Sequence, residues 1–241
     1  MSPFLAIDTS VGTSVALVAG GSVLAEVNID DRMGHAENIG LALAEVFKRA
    51  DVAPSRISAV IAGRGPAPFT GLRVGIAAAI AFAEGVARPI FGVVSHDAIA
   101  LAELTEVAEG GRQTGTQTGS QTSPQAGSQT SPQAGSPLFV TTDARRSEVY
   151  WSLYSGLDHH GCPVRIDGPH VNKPAELESI LDARGLSPIT AKASVSAAAL
   201  ARVAERQMLA GGASQDVTAL YLRAPDAVAP KDITKTSKAV S

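Results

Sequence analysis

Residues 71–87, GLRVGIAAAIAFAEGVA, predict a helix that is apolar on almost every side. Gly71, Gly75, Ala79, Ala83 and Ala87 recur every four residues and draw a flat stripe of small side chains along one face. Val74, Ile76, Ile80 and Phe82 cover much of the remainder. A helix of this kind has to be buried nearly all round. One side can lie on its own sheet. The other needs the neighbouring helix expected over residues 36–50, a partner chain, or both. A partner is expected, because large exposed apolar patches mark interaction sites. An interior helix of a single domain is the competing reading.

The approach to this helix looks like a phosphate loop. A continuous apolar run, ISAVIAG over residues 57–63, suits a buried strand, and GRGPAPFT follows at residues 63–70. The first turn of the next helix exposes four N–H groups and the positive end of the helix dipole, and Thr70 is placed to cap it. No Gly-Lys-Ser/Thr follows, however, and the Gly63–Gly65 spacing is not a dinucleotide fingerprint. Pro66 and Pro68 remove two N–H donors, which makes the loop rigid rather than enveloping.

Upstream lie three short β-type runs, FLAIDTS (4–10), TSVALVA (13–19) and VLAEVNI (23–29), split at Val11-Gly12 and Gly20-Gly21 as in an antiparallel meander. Over residues 36–50, Ile39, Leu43, Val46, Phe47 and Ala50 share one helical face. A strand at 90–95 and a helix at 97–108 complete an α/β block. A second block then echoes the first: Phe139 stands four residues before Asp143, as Phe4 does before Asp8, and the strand-like SEVYWSLY follows at 147–154. Duplication and chance similarity both account for this pairing. Helices are expected at 175–184 and 195–209. Between the blocks, residues 113–136 repeat QTSPQAGS in a tract with no charge and no apolar residue larger than Ala, which cannot bury surface to offset ordering entropy.

Composition narrows the chemistry. The 241 residues carry a net charge of −3, so no global basic field favours direct nucleic-acid binding. The single cysteine, Cys162, excludes an internal disulfide and a cysteine zinc cluster. No apolar run approaches the ~20 residues of a membrane span, and a soluble cytoplasmic protein is expected. None of the five histidines has the spacing of a His-Glu-x-x-His metal site, and no Gly-x-Ser-x-Gly elbow occurs, so no catalytic and no metal residues are assigned. Asp8, Thr9 and Ser10 end a strand in a hydroxyl-rich turn. Such a turn can wrap a phosphate, or it can cap its own backbone.

Taken in order, LAIDTS, TSVAL, HAENI, PFTGLRVGIAAA, TDARRSEVYW and LYLR resemble the TsaB (YeaZ) family over Phe4 to Arg223, apart from the Gln/Thr/Ser/Gly tract. The resemblance implies two RNase-H-like lobes of the actin-like ATPase, sugar-kinase and Hsp70 type, each a mixed β-sheet flanked by helices. Residues 1–108 would form the first lobe, 109–137 a linker or loop, 138–223 a smaller second lobe and 224–241 a disordered tail. It also implies a non-catalytic subunit of a TsaD-type transferase, which places threonylcarbamoyl on the tRNA adenosine 3′ of the anticodon. A TsaE-type ATPase would join through the complex, tRNA would be met only there, and the chain alone would form a homodimer. The implied interface is Ile39, Leu43, Val46 and Phe47 with Gly71, Gly75, Ala79 and Ala83. The implied degenerate nucleotide site is Asp8, Thr9, Ser10, Thr70 and Gly71, with no required cofactor and at most weak ATP or ADP binding. Three departures from active superfamily members stand out: the turn Asp143-Ala144-Arg145-Arg146 has no glycine, Ile39 stands where a second histidine beside His35 would be needed, and Ala67 replaces a commoner glycine. A stand-alone small kinase or ATPase of the same fold is the alternative. A metallopeptidase lacks ligands.

Overall fold

The computed structural model describes residues 2–31, 34–113, 137–186, 189–190 and 194–223. Its larger sheet has the order β3-β2-β1-β4-β5. The strands are β1 (Phe4–Asp8), β2 (Thr13–Ala19), β3 (Ser22–Ile29), β4 (Ala59–Gly63) and β5 (Ile90–Val93). β1 to β3 form the expected antiparallel meander. Gly20 and Gly21 turn the second hairpin at φ 56° and 74°, the paired left-handed geometry that matches strand twist. β1, β4 and β5 are parallel, and the helices of the connections make this possible.

Two faces of this sheet bury different residues, as the two-residue strand period requires. Leu5, Ile7, Val15, Leu17, Val60 and Ala62 face α1 (His35–Ala50) and α2 (Phe69–Gly85). Ala6, Ala16, Val18 and Ile61 face α5 (Ala197–Leu209), whose alanine-rich surface sits close against them. Small residues on both sides of that contact explain how a chain with only 4% aromatics fills its core.

The smaller sheet has the order β8-β7-β6-β9. Its strands are β6 (Leu138–Asp143), β7 (Val149–Leu157), β8 (Pro163–Asn172) and β9 (Ile189–Thr190). α4 (Pro174–Ala183) covers one side through Phe139, Trp151, Leu153 and Leu177. α3 (Ser95–Gln113) covers the other through Ile99, Ala100, Leu138, Val140 and Tyr154. β1 and β6 hold equivalent places: each is antiparallel to the next strand and parallel to a later one. The duplicated strand–Asp–hairpin unit is therefore real, and the α/β fold of two RNase-H-like lobes follows from it.

The lobe boundaries expected from sequence need correction. α3 runs through Gln113, so residues 109–113 are helix rather than linker. The assignment of 138–223 to the second lobe fails after residue 194, because α5 packs on the first sheet. Residues 214–223 also return there: Gly92 N–H donates to Ser214 O at 2.9 Å, and Leu220 N–H donates to Arg64 O at 2.9 Å. The remaining linker residues 114–136 and the expected disordered tail 224–241 lie outside the described residues. No described helix is long and apolar enough to cross a membrane.

Candidate functional site

Asp8 ends β1 with both carboxylate oxygens occupied. Oδ1 accepts from Ser10 N–H at 2.8 Å and Ser10 Oγ at 2.5 Å, and Oδ2 accepts from Ser95 Oγ at 2.5 Å. Ser95 Oγ in turn accepts from Gly65 N–H at 3.0 Å. The carboxylate thus ties the ends of β1 and β4 to the start of α3. It is 1% exposed, and burial pushes its pKa above the ordinary value against the pull of the serine hydrogen bonds. Gly63 has to be glycine, because a Cβ there would run into the Asp8 carboxylate.

Thr9 turns inward beside it. Its hydroxyl donates to Gly71 O at 2.8 Å and accepts from Gly75 N–H at 3.1 Å, between the two backbone groups that an α-helix pairs directly. A Cβ on Gly75 would collide with Thr9, and one on Gly71 would stand 2.7 Å from the His35 ring. Ala79 and Ala83, 0% and 3% exposed, continue the row into the core. The small-residue stripe of α2 is therefore turned to its own hairpin and sheet. The expected role of Gly75, Ala79 and Ala83 as the surface a partner touches is corrected, since all three are buried, and Gly71 is half-buried against Thr9 and His35.

The α1 residues follow the same pattern. Val46 is fully buried, Phe47 stacks on Phe82 with ring centroids 5.4 Å apart, and Ile39 and Leu43 are half-buried against the same core. They lock α1 to α2 and the sheet. Thr70 is exposed on the first turn of α2, and Pro68 rather than Thr70 occupies the N-cap place. The left-handed residue of the loop is Gly65, at φ 87°, so Ala67 carries no such demand.

The outward face of the helix pair has its own apolar and small residues. Leu41 is 68% exposed and Ile80 39% exposed. Ala36, Gly40 and Ala44 on α1 and Ala77 and Ala81 on α2 are exposed beside them. A Cβ on Gly40 would meet nothing within 4 Å, in contrast to Gly71 and Gly75. A mid-helix glycine costs about 1 kcal/mol against alanine, and here no internal neighbour requires it.

Beside the first hairpin, a cleft of about 320 Å3 is lined by Asp8, Gly12, Thr13, Asn28, Val195 and Ser196. The N-terminus of α5 faces it. An anion would suit that position, but Glu26 already fills it: its Oε1 accepts from Ser196 Oγ at 2.8 Å and Ala198 N–H at 3.0 Å. Sequence reading missed Glu26, because a carboxylate in the middle of an edge strand reads as solvated surface. In the second lobe, Asp143 accepts from Arg145 N–H at 2.8 Å, the counterpart of the Asp8–Ser10 bond. The turn beyond it places Arg145, Arg146 and Ser147 at φ 65°, 53° and 58°, so the missing glycine is replaced by three left-handed side-chain residues. His35, beside Thr13 at 3.1 Å, has its pKa lowered by burial and, less strongly, by Arg145, while Asp31 and Asp8 pull it up.

Residues 95–97 join the lobes. Ser95 holds Asp8, as above. His96, wholly buried, lies between Ser152 Oγ at 2.8 Å and Thr142 Oγ1 at 2.9 Å, and burial drives its pKa down to about 3. Asp97 accepts from Tyr154 OH at 2.7 Å and pairs with Arg165 at 3.4 Å. Among the described residues, no group of three or more His, Cys, Asp and Glu side chains converges as metal ligands would.

Residues 23–113 match the family model of TsaD, tRNA N6-adenosine threonylcarbamoyltransferase. The chain is 33% identical over 183 residues to an uncharacterized protein of Mycobacterium leprae, a match covering 74% of this chain and 41% of that protein. It is 30% identical over 151 residues to the tRNA threonylcarbamoyladenosine biosynthesis protein TsaB of Bacillus subtilis, covering 62% of this chain and 54% of that protein. The matched stretches thus span about half of these relatives' own length. YeaZ from Pseudomonas aeruginosa shares the fold, with a TM-score of 0.67 at 23% identity over 92% of this chain and 100% of that one.

Proposed function

The chain belongs to the TsaB (YeaZ) family of the actin-like superfamily, and from that premise we propose that it serves tRNA threonylcarbamoyladenosine biosynthesis as a non-catalytic subunit that docks a TsaD-type transferase through the outer face of α1 and α2. The observation that carries this reading is Gly40. It sits at mid-helix, exposed, with open space where a side chain would go, and Leu41 stands beside it 68% exposed. A glycine with no internal reason suits close approach by another backbone from outside. Residues 23–113, which match the TsaD family model, contain both helices. A partner of that family carries a comparable pair, and two such pairs can pack as a pseudo-symmetric four-helix layer.

In this reading the chain contributes binding free energy and biases the transferase toward its working conformation. A second copy takes the same face when the transferase is absent. A TsaE-type ATPase and tRNA join only in the assembled complex. The stand-alone kinase or ATPase reading is not favoured: both Asp8 oxygens are committed to Ser10 and Ser95, and Glu26 occupies the anion position at α5. Any weak ATP or ADP binding belongs to the cleft beside Gly12 and is not required for docking. The test is co-purification with the cognate TsaD-type subunit, followed by a tRNA-modification assay with and without this chain. A transferase that works equally well without it would overturn the proposal.

A further inference from the structure

The LYLR segment near the end of the described chain has no part in the docking face as drawn so far. It closes a strap, residues 214–223, that crosses the edge of the larger sheet. Ser214 O accepts from Gly92 N–H, and a Cβ on Gly92 would run into the Asp216 carbonyl, so the strap lies directly on β5. Arg64, in the loop that launches α2, holds it from beneath: Nη2 pairs with Asp216 at 2.7 Å, and Nε donates to Thr218 O at 2.9 Å. Val217 and Ala219 pack on Ala67, Leu72 and Ile76, which are the loop and the first turns of α2. Further on, Tyr221 OH accepts from Arg73 Nε at 2.7 Å, with the guanidinium carbon 5.5 Å from the ring centroid. Arg223 pairs with Glu148, at the base of the second-lobe turn.

Arg73 belongs to the outward row of α2 that continues through Ala77, Ile80 and Glu84. Tyr221, 38% exposed, therefore stands at the N-terminal end of that row. We propose that residues 214–223 preset the docking face: the strap holds residues 63–76 where the outer row of α2 can meet the transferase, and it adds Tyr221 to that row. Arg64 and Gly92 are positioning residues in this scheme, because they act through the strap. The inference rests on the docking function proposed above.

The test uses the full chain and its cognate TsaD-type subunit, with affinity measured by calorimetry for Gly92→Ala, Arg64→Ala, Tyr221→Ala and, as reference, Ile80→Glu. Gly92→Ala alters no strap or α2 side chain, and Tyr221→Ala lies at the surface, so the pair stays informative if Arg64→Ala folds poorly. Each strap variant is expected to bind about tenfold more weakly, the scale of losing one charge-assisted contact at an interface. Amide exchange at residues 69–75 of free Gly92→Ala is expected to speed up, and binding to slow it again. Strap variants within about twofold of the parent, with Ile80→Glu inactive, would overturn the strap and leave docking intact. An Ile80→Glu that binds normally would overturn the docking function itself, and the strap proposal with it.

Discussion

The hydroxyl of Thr9 is inserted in α2, 3.1 Å from the amide of Gly75 and 2.8 Å from the carbonyl of Gly71. The turn after β1 and the first turns of α2 are thus one hydrogen-bonded unit. Gly75 is glycine because Thr9 occupies the space of its side chain. Gly75→Ala is expected to destabilise the free chain by about 2 kcal/mol, since backbone and hydroxyl must both give way. Trimming Thr9 in the double variant Thr9→Ala/Gly75→Ala should recover part of that loss. Thermal unfolding of Thr9→Ala, Gly75→Ala and the double variant tests it. Additive losses in the double variant would mean the two residues do not oppose each other.

Gly40 gives the contrasting case. Nothing lies where its Cβ would go, so Gly40→Ala should raise the stability of the free protein by roughly 0.5–1 kcal/mol. The same change should weaken association with the transferase, and Gly40→Leu should abolish it while the fold survives. Melting temperature and size-exclusion co-elution, read together, separate the two effects. Gly40→Leu that still co-elutes would move the docking surface away from α1.

The architecture was largely legible in the chain, and the direction of its helices was not. The meander, both hairpin aspartates and the helix pair follow from strand alternation, Gly-Gly punctuation and helical spacing. The spacing Gly71–Gly75–Ala79–Ala83 marks a close-approach surface, but spacing alone does not say whether what approaches is internal or foreign. Thr9, remote in sequence, decided it. Glu26 at the start of α5 and the return of residues 214–223 to the first lobe depend on contacts across more than a hundred residues, for which short-range patterns carry no signal.

Burial holds Asp8 above its ordinary pKa of 3.8. The folded state therefore binds this proton more tightly than the unfolded chain does. The resulting stability is full below 3.8 and is lost as pH rises through the folded value. Asp8→Asn approximates the protonated form, because its amide can donate to Ser95 Oγ. The variant should match the parent in urea unfolding at low pH and become the more stable of the two at pH 7.5. A difference that stays constant with pH would show that the charge on Asp8 is not what burial opposes.

His96 imposes the opposite slope. Its folded pKa is about 3 against an ordinary 6.5, since the neutral ring sits dry between Thr142 and Ser152. The stability it contributes is present above pH 6.5 and is lost as pH falls toward 3, at roughly 1 kcal/mol per pH unit. Asp8 and Asp97, both raised by burial, gain as pH falls and partly offset it. Comparison of the parent with His96→Gln isolates the histidine, because the aspartates are common to both. The variant is expected to start less stable at pH 7.5 and to lose less on acidification to pH 4.5. Contact between the lobes runs through this ring, so acid should also loosen α3 from β6 and β7 before the larger sheet unfolds. Parallel pH slopes for parent and variant would show that His96 is not the group that makes the join between the lobes acid-sensitive.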